Sequence, residues 1–218
     1  IYGLTKGQYS PTSERGFVSK SSPYGTVEDP FIPAELCFGA RGRFFARSLD
    51  IDMKLLGSCM VAAAQHKGAA VVEVLVNCVI FNDGVHKGVA DRATREERSI
   101  VLRHGEKMIF GKDKNKGIVL DGLRLKAVTI GEDGYTLDDV LTHDAHEEDP
   151  TLHTMLAMMG TNDDMPVAMG VIRDVAGISY DEAVTQQIEE VKAQKPGIRK
   201  LEDVLLKDAY WEVKAEDL

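Results

Sequence analysis

Hydrophobic positions in residues 34–81 fall into segments of two kinds. RFFARSL and AAVVEVLVNCVIF are rich in aromatic or β-branched residues and predict strands. MKLLGSCMVAAAQH lies between them and predicts a helix, which Asp50 or Asp52 can cap and Lys67-Gly68 can close. A strand, a helix and a strand with short connections predict a right-handed βαβ unit. The sequence therefore predicts an α/β fold with a mainly parallel sheet.

The later residues predict a smaller mixed α+β extension. MIFG, GIVLDG and LKAVTIG favour short antiparallel strands, PTLHTMLAMMG a helix and PVAMGVIRDV a buried strand. DRATREERSIVLRHG predicts partial helix, and DEAVTQQIEEVKAQ predicts an amphipathic helix from Asp181. The final LEDVLLKDAYWEV resembles a docking tail. We therefore expect a division into residues 1–105 and 106–218.

The first 33 residues are punctuated by glycine and proline and contain few helix signals. A structureless stretch of this length inside a compact domain is usually functional or disordered. Composition alone favours a disordered N-terminal tail. Only a recognisable motif would favour a functional segment instead.

Charge and cysteine content exclude several classes of protein. The formal net charge is -9, from 35 acidic and 26 basic residues, which argues against nonspecific nucleic-acid binding. The sequence contains no apolar run long enough to span a membrane, and it shows no secretory signal. Three cysteines without tight spacing argue against a disulfide framework. A cytoplasmic protein is the expectation.

The opening residues IYGLTKGQYSPTS resemble a known cofactor-binding segment. They are similar to the segment that closes the thiamine-diphosphate motif in β subunits of 2-oxoacid:ferredoxin oxidoreductases. The resemblance implies a Mg²⁺ ion, which prefers oxygen ligands, and a backbone carbonyl of Ile1 as one of those ligands. It also implies a set of residues next to thiamine diphosphate: Ile1, Tyr2, Gly3, Leu4 and Thr5.

By the same resemblance, Thr5 and Lys6 position the substrate and are the predicted catalytic residues. The cation of Lys6 would suit the second carboxylate of 2-oxoglutarate better than pyruvate, which has none. Taken without the resemblance, Lys6 is an ordinary solvated surface lysine.

The segment EVLVNCVIFNDG, residues 73–84, carries the second part of the resemblance. In the family, a similar segment provides the fourth cysteine of a 4Fe–4S cluster, which corresponds to Cys78. A thiolate at the end of a rigid strand suits such a cluster. The alternative from the residues alone is a buried free cysteine in an apolar strand.

The resemblance implies the C-terminal part of a thiamine-diphosphate-binding fold. The implied reaction is the coenzyme A-dependent, reversible oxidative decarboxylation of 2-oxoglutarate, with electrons passing through the cluster to ferredoxin. A larger α subunit would complete the active site, and αβ units would pair into a dimer. Two alternatives stay open: a family member that acts on pyruvate or another 2-oxoacid, and a non-catalytic assembly subunit.

The sequence departs from the family pattern in one respect. The Gly-Asp-Gly and Asn of the motif, and the three other cluster cysteines, are absent at matching places. We expect them to precede Ile1, so that the chain is part of a longer one.

Other polar residues suggest weaker candidate sites. His143, His146 and His153 with nearby acids could bind a metal, but a solvated acidic loop is the prediction. Nothing places Ser13, His66 and Asp83 together as a triad. GKDKNKG predicts a charged hairpin turn, and apolar surroundings predict that Cys37 and Cys59 are buried and inert.

Overall fold

A computed structural model describes residues 8–160, 164–194, 200–206, 211 and 213–217. By contacts, the chain divides into two compact units, Ile1–Gly177 and Ile178–Leu218. The predicted boundary near residue 105 stays a prediction about the family's domains. Both sides of that position contribute strands to one sheet of the first unit.

The first unit contains seven described strands and five described helices. The strands are β1 (Phe44–Leu49), β2 (Ala70–Leu75), β3 (Ser99–Leu102), β4 (Ile109–Phe110), β5 (Lys116–Asp121), β6 (Arg124–Thr129) and β7 (Val167–Asp174). The helices are α1 (Pro33–Gly39), α2 (Met53–Gln65), α3 (Lys87–Ala90), α4 (Arg95–Arg98) and α5 (Thr151–Ala157).

The predicted βαβ unit is confirmed as β1, α2 and β2. The Asp52 carboxylate caps α2 by accepting a 3.1 Å hydrogen bond from the backbone N–H of Leu55. This satisfies one of the donors that a helix start leaves without an intrahelical partner. β1 and β2 pair in parallel, as a crossover helix between them requires.

Four strands form the main sheet in the order β2-β1-β7-β3. β3 and β7 pair in parallel, whereas β1 and β7 pair antiparallel. The sheet is therefore mainly parallel, as predicted, with one antiparallel pairing at its centre. β2 and β3 are the edge strands of this sheet among the described residues.

Strand β3 corrects the prediction for the segment DRATREERSIVLRHG. The predicted partial helix is present as α4, but the same segment also contains the strand Ser99–Leu102, which was not predicted. Three of the four strand residues are consecutive apolar residues, so the strand does not show an alternating pattern. Its pairing with β7, which lies far along the chain, determines its conformation.

A second sheet is antiparallel and has the order β4-β5-β6. It confirms the three short strands that were predicted between residues 108 and 130. The GKDKNKG segment is the turn between β4 and β5, and the Lys116 ammonium contacts the Glu97 carboxylate at 2.6 Å. The predicted charged hairpin turn is therefore confirmed.

The two faces of β1 contribute to different hydrophobic clusters, because side chains alternate along a strand. Phe45 faces a large core that also contains Ile118 of the second sheet and Leu156 of α5. Phe44 and Ala46 face the opposite side, where Cys59 of α2 covers them. The main sheet therefore has packed side chains on both faces.

Two arginines in the central strands are buried, and they hydrogen-bond to a helix and a loop outside the sheet. Arg47 of β1 forms an ion pair with Glu73 of β2 at 2.5 Å and donates to the carbonyl of Ala157 in α5 at 2.9 Å. Arg173 of β7 donates to the carbonyls of Glu147 and Glu148 at 2.8 and 2.9 Å. A buried cation without such partners would cost several kcal/mol, roughly the scale for an unpaired buried charge.

The second unit contains α6 (Tyr180–Gln194), α7 (Leu201–Leu205) and a 3₁₀ turn at Ala215–Asp217. The helix predicted from Asp181 is confirmed. Ser179 and Glu182 form a capping box, in which each side chain accepts from the backbone N–H of the other at 3.3 Å. The predicted docking tail lies partly outside the described residues and stays a prediction.

Among the residues that the structure describes, no helix combines the length and the apolar character needed to cross a membrane.

The central pairing of β7 gives a stability prediction at Gly170. Its φ is +90°, and a Cβ there would lie 2.6 Å from the carbonyl oxygen of Leu102 in β3. We expect Gly170→Ala to lower the free energy of unfolding by about 2–4 kcal/mol, measured by urea denaturation. Gly57→Ala is the matched control, because no atom lies within 4 Å of its Cβ, and it should stabilise α2 by about 0.5–1 kcal/mol. Equal effects of the two substitutions would contradict the packing described here.

Candidate functional site

The predicted cofactor and substrate residues of the first segment lie outside the described residues. These are Ile1, Tyr2, Gly3, Leu4, Thr5 and Lys6. Their roles, including the predicted Mg²⁺ ligand at Ile1, stay predictions. The first described residue is Gln8, and the segment after it has an irregular backbone. Four of its side chains are buried: Ser10, Ser13, Ser19 and Thr26.

Cys78 lies in a turn that follows the carboxyl end of strand β2. Its side chain is half-buried, and its carbonyl accepts a 2.9 Å hydrogen bond from the backbone N–H of Asn82. Functional groups of parallel sheets are commonly found at the carboxyl ends of strands. The structure therefore places the predicted cluster ligand where such sheets place binding loops.

Backbone hydrogen bonds give the Cys78 sulfur an unusual environment for a thiol. The N–H groups of Phe81 and Ile80, with a smaller contribution from Asn82, hold the pKa of the Cys78 thiol below its ordinary value. Partial burial acts in the opposite direction and is outweighed by the amides of Phe81 and Ile80. Donors that favour the thiolate also suit a sulfur that binds a metal, because the thiolate is the ligand form.

The other two cysteines differ from Cys78 in their exposure to solvent and in the direction in which the thiol pKa is shifted. Cys37 is 8% exposed and Cys59 is 1% exposed, and burial is the main cause that raises the pKa of each thiol. Cys59 packs beneath α2 against Phe44 and Ala46. The prediction that both are buried is confirmed, and neither has the access that a ligand would need.

Asn77 and Asp83, which flank this turn, are two residues that sequence analysis missed as parts of the site. The Asn77 side chain accepts from the backbone N–H of Gly84 and donates to the Asp83 carboxylate, each at 2.8 Å. The only signal for this arrangement was the turn-forming Asn82-Asp83-Gly84. Nothing in that signal indicated a role for Asn77.

Two of the three histidines in residues 143–153, His143 and His153, are buried and hydrogen-bonded to backbone carbonyls. His153 donates from Nε2 to the carbonyl of Asp144 at 2.7 Å, and its Nδ1 accepts from Arg173 at 2.8 Å. His143 contacts the Val171 carbonyl at 2.9 Å, and burial lowers the pKa of both imidazoles. Over the described ranges, no group of three or more His, Cys, Asp or Glu side chains could hold a metal.

The predicted solvated loop is therefore correct for the acids but wrong for two histidines. Glu147, Glu148 and Asp149 are exposed, whereas His143 and His153 are each 1% exposed. Both imidazoles are buried because they satisfy carbonyl groups on neighbouring segments. Their spacing alone resembled that of a metal site.

Ser13, His66 and Asp83 have different surroundings, as expected. His66 contacts the carboxylate of Asp174 at 2.8 Å, and Asp83 contacts the side chain of Asn77. The Ser13 hydroxyl is buried and has no hydrogen-bond partner among the residues that the structure describes. The structure therefore assembles no triad from these three residues.

A cavity of about 520 Å³ lies beside α2. It is lined by both acids and bases, and the rings of His104 and His146 lie 4.3 Å apart, centroid to centroid, on its wall. The hydroxyl of Ser58, which also lines it, already donates to the carbonyl of Leu55 at 2.7 Å. Cys78 does not line this cavity, so the cavity is separate from the candidate cluster ligand.

Comparison with known proteins relates the whole chain to one group of enzymes. The chain is 38% identical over 214 residues to the 2-oxoglutarate oxidoreductase subunit KorB of Mycobacterium tuberculosis. This match covers 98% of the chain and 57% of that relative, so the chain spans little more than half its length. No family model matches the chain.

Shorter matches extend to archaeal relatives. The chain is 42% identical over 83 residues to the β subunit of 2-oxoacid:ferredoxin oxidoreductase 1 of Aeropyrum pernix, covering 38% of the chain and 26% of that subunit. It is 40% identical over 78 residues to the 2-oxoglutarate synthase subunit KorB of Archaeoglobus fulgidus, covering 36% of the chain and 29% of that subunit.

A solved structure with the same fold is among those that the chain resembles. It is the 2-oxoglutarate:ferredoxin oxidoreductase from Magnetococcus marinus with 2-oxoglutarate, coenzyme A and succinyl-CoA bound. The TM-score is 0.59 at 18% identity, over 95% of this chain and 54% of that chain. At this identity the likeness shows the fold alone, and the predicted α/β class is confirmed.

The contrast among the three cysteines gives a second testable prediction. In the iron-free protein at neutral pH, iodoacetamide should alkylate Cys78 at least about tenfold faster than Cys37 or Cys59, because Cys78 is more accessible and has the larger thiolate fraction. Mass spectrometry of the digested protein measures each rate. In denaturing urea the three rates should converge. Equal rates in the folded protein would contradict the described surroundings of Cys78.

Proposed function

We propose that this chain acts within a 2-oxoacid:ferredoxin oxidoreductase. It is similar over 98% of its length to a 2-oxoglutarate oxidoreductase subunit, and over 38% of its length to the β subunit of a 2-oxoacid:ferredoxin oxidoreductase. The proposed reaction is the coenzyme A-dependent oxidative decarboxylation of 2-oxoglutarate to succinyl-CoA, and it is reversible. Electrons pass through an iron–sulfur cluster to ferredoxin.

The similarity to the Mycobacterium tuberculosis subunit is the observation that carries this proposal. It extends over 98% of the chain, and the name of that relative specifies 2-oxoglutarate. The name of the Archaeoglobus fulgidus relative also specifies 2-oxoglutarate. The substrate and the partners are proposed for this chain by analogy with these proteins.

The donor chemistry around Cys78 fits an iron–sulfur cluster. Iron in such clusters takes thiolate ligands, and the turn provides a half-buried thiol whose pKa the backbone amides of Phe81 and Ile80 hold below its ordinary value. Cys37 and Cys59 instead pack inside hydrophobic clusters. We therefore propose that Cys78 is one ligand of a 4Fe–4S cluster whose other thiolates lie outside these 218 residues.

The proposed thiamine-diphosphate site uses the opening segment. Ile1 to Thr5 would lie against the cofactor, and the Ile1 carbonyl would bind Mg²⁺. Gly3 permits a close approach that a side chain would prevent. When bound, thiamine diphosphate supplies the nucleophilic carbon that decarboxylation requires, and the protein supplies orientation and charge.

Lys6 and Thr5 are the residues proposed to position the substrate. The Lys6 ammonium would pair with the distal carboxylate of 2-oxoglutarate, and Thr5 would orient the reacting end. A larger α subunit would complete the site, and the αβ units would pair into a dimer. A cytoplasmic location is part of the same proposal.

A second candidate is the same chemistry on pyruvate or another 2-oxoacid. The Aeropyrum pernix relative supports this alternative, because its name specifies only a 2-oxoacid. Kinetics of Lys6 variants separate the two substrates.

The first test of the proposed function is the iron content of the native assembly. After anaerobic purification with its partner subunit, the wild-type protein should contain iron, sulfide and thiamine, and Cys78→Ala should lose most of the iron. Cys59→Ala, which changes a buried cysteine, should retain the iron. Full iron in Cys78→Ala would disprove the ligand role. Wild-type protein without iron and thiamine would favour a non-catalytic assembly subunit.

The second test concerns the substrate. Lys6→Ala should lower kcat/KM for 2-oxoglutarate about ten- to a hundredfold, the factor expected for losing a charge-assisted hydrogen bond. Pyruvate has no second carboxylate, so its kcat/KM should not change. Lys20→Ala, at an exposed lysine, is the matched control. Unchanged kinetics with 2-oxoglutarate would remove Lys6 from the site and reopen the choice of substrate.

A further inference from the structure

The turn that contains Cys78 has little packing to hold its shape. Val79 and Ile80, directly after the cysteine, are 73% and 62% exposed. Phe81 and Asn82 are only half-buried. Since apolar burial is small here, hydrogen bonds must determine the conformation of residues 78–84.

The side chain of Asn77 provides two of those hydrogen bonds. Its carbonyl oxygen accepts from the backbone N–H of Gly84, and its amide nitrogen donates to the carboxylate of Asp83, each at 2.8 Å. These bonds join the residue directly before the turn to the last two residues of the turn. Gly84 has a φ of +79°, which a residue without a side chain adopts without strain.

Cys78 itself is paired across this closed turn. The backbone N–H of Asn82 donates to the Cys78 carbonyl at 2.9 Å, and the two residues form an antiparallel bridge. Ile80 and Phe81 lie between these two residues, and their backbone amides are the main causes that hold the pKa of the Cys78 thiol below its ordinary value. The position of these amides depends on the closure of the turn, since they belong to the same loop.

We infer that Asn77 is a positioning residue for the Cys78 sulfur, because its side-chain amide closes the turn that carries Cys78. This inference rests on the proposed function of Cys78 as a cluster ligand. Hydrogen bonds to cluster sulfurs stabilise the more negative, reduced state and therefore raise the reduction potential. Asn77 accordingly adjusts the electron affinity of the cluster without contacting iron.

The experiment compares wild type, Asn77→Ala and Asn115→Ala in the anaerobically purified assembly. Asn115 is the matched control, an exposed asparagine in the charged hairpin turn between β4 and β5. The first readout is the reduction potential of the cluster, from a redox titration followed by electron paramagnetic resonance. Asn77→Ala should shift the potential to a more negative value, and Asn115→Ala should leave it unchanged.

The second readout does not need the cluster. Hydrogen–deuterium exchange of the iron-free protein should be roughly tenfold faster at residues 80–84 in Asn77→Ala, as expected for losing two exposed hydrogen bonds. Exchange in β1 and α2 should stay as in wild type, which shows that the variant is folded.

The two readouts separate failure of this inference from failure of the proposed function. If the cluster is present and its potential in Asn77→Ala equals that of wild type, Asn77 does not position the sulfur. If iron is absent from the wild type, the cluster proposal fails, and exchange alone decides whether Asn77 holds the turn. Unchanged exchange at residues 80–84 would overturn the inference in either case.

Discussion

The pairing of β1 with β7 joins two segments that lie far apart in the chain. Hydrogen bonds across it include that of Arg47 to the carbonyl of Ala168, 121 residues away. β7 also pairs with β3 on its other edge, so both halves of the main sheet depend on it. Arg47 and Arg173 then fix the helix and the histidine loop that follow the second sheet. Disrupting β7 would separate these parts.

The position of Cys78 follows from the same sheet. β2 is held by its parallel pairing with β1 and by the ion pair between Glu73 and Arg47. The turn after β2 therefore starts from a fixed strand end, and Asn77 closes it. Cys78 therefore lies half-buried after an edge strand of the sheet. The proposed electron-transfer role depends on this sequence of contacts.

Sequence analysis predicted the parts of the fold that local patterns determine. The β1-α2-β2 unit has apolar segments of the right length with Asp52 at the helix start, and the hairpin strands have glycine turns between them. β3 was missed, because its four residues become a strand only through pairing with β7. The burial of His143 and His153 was missed as well, since it depends on carbonyl groups from distant segments.

The candidate site also contains one residue that the sequence indicated and one that only the structure revealed. Cys78 was found because the residues around it resemble a family motif, whereas Asn77 carries no sequence signal that distinguishes it from an ordinary turn residue. Its role became visible only when the structure placed its amide beside Gly84 and Asp83. The opening segment, Ile1 to Lys6, is known from the resemblance alone.

The claim that Cys78 binds iron can be measured directly. Crystals of the anaerobically purified assembly, with diffraction data recorded on both sides of the iron absorption edge, would locate each iron atom. Our account predicts an anomalous peak at bonding distance from the Cys78 sulfur. Iron sites elsewhere, with a free thiol at Cys78, would contradict it.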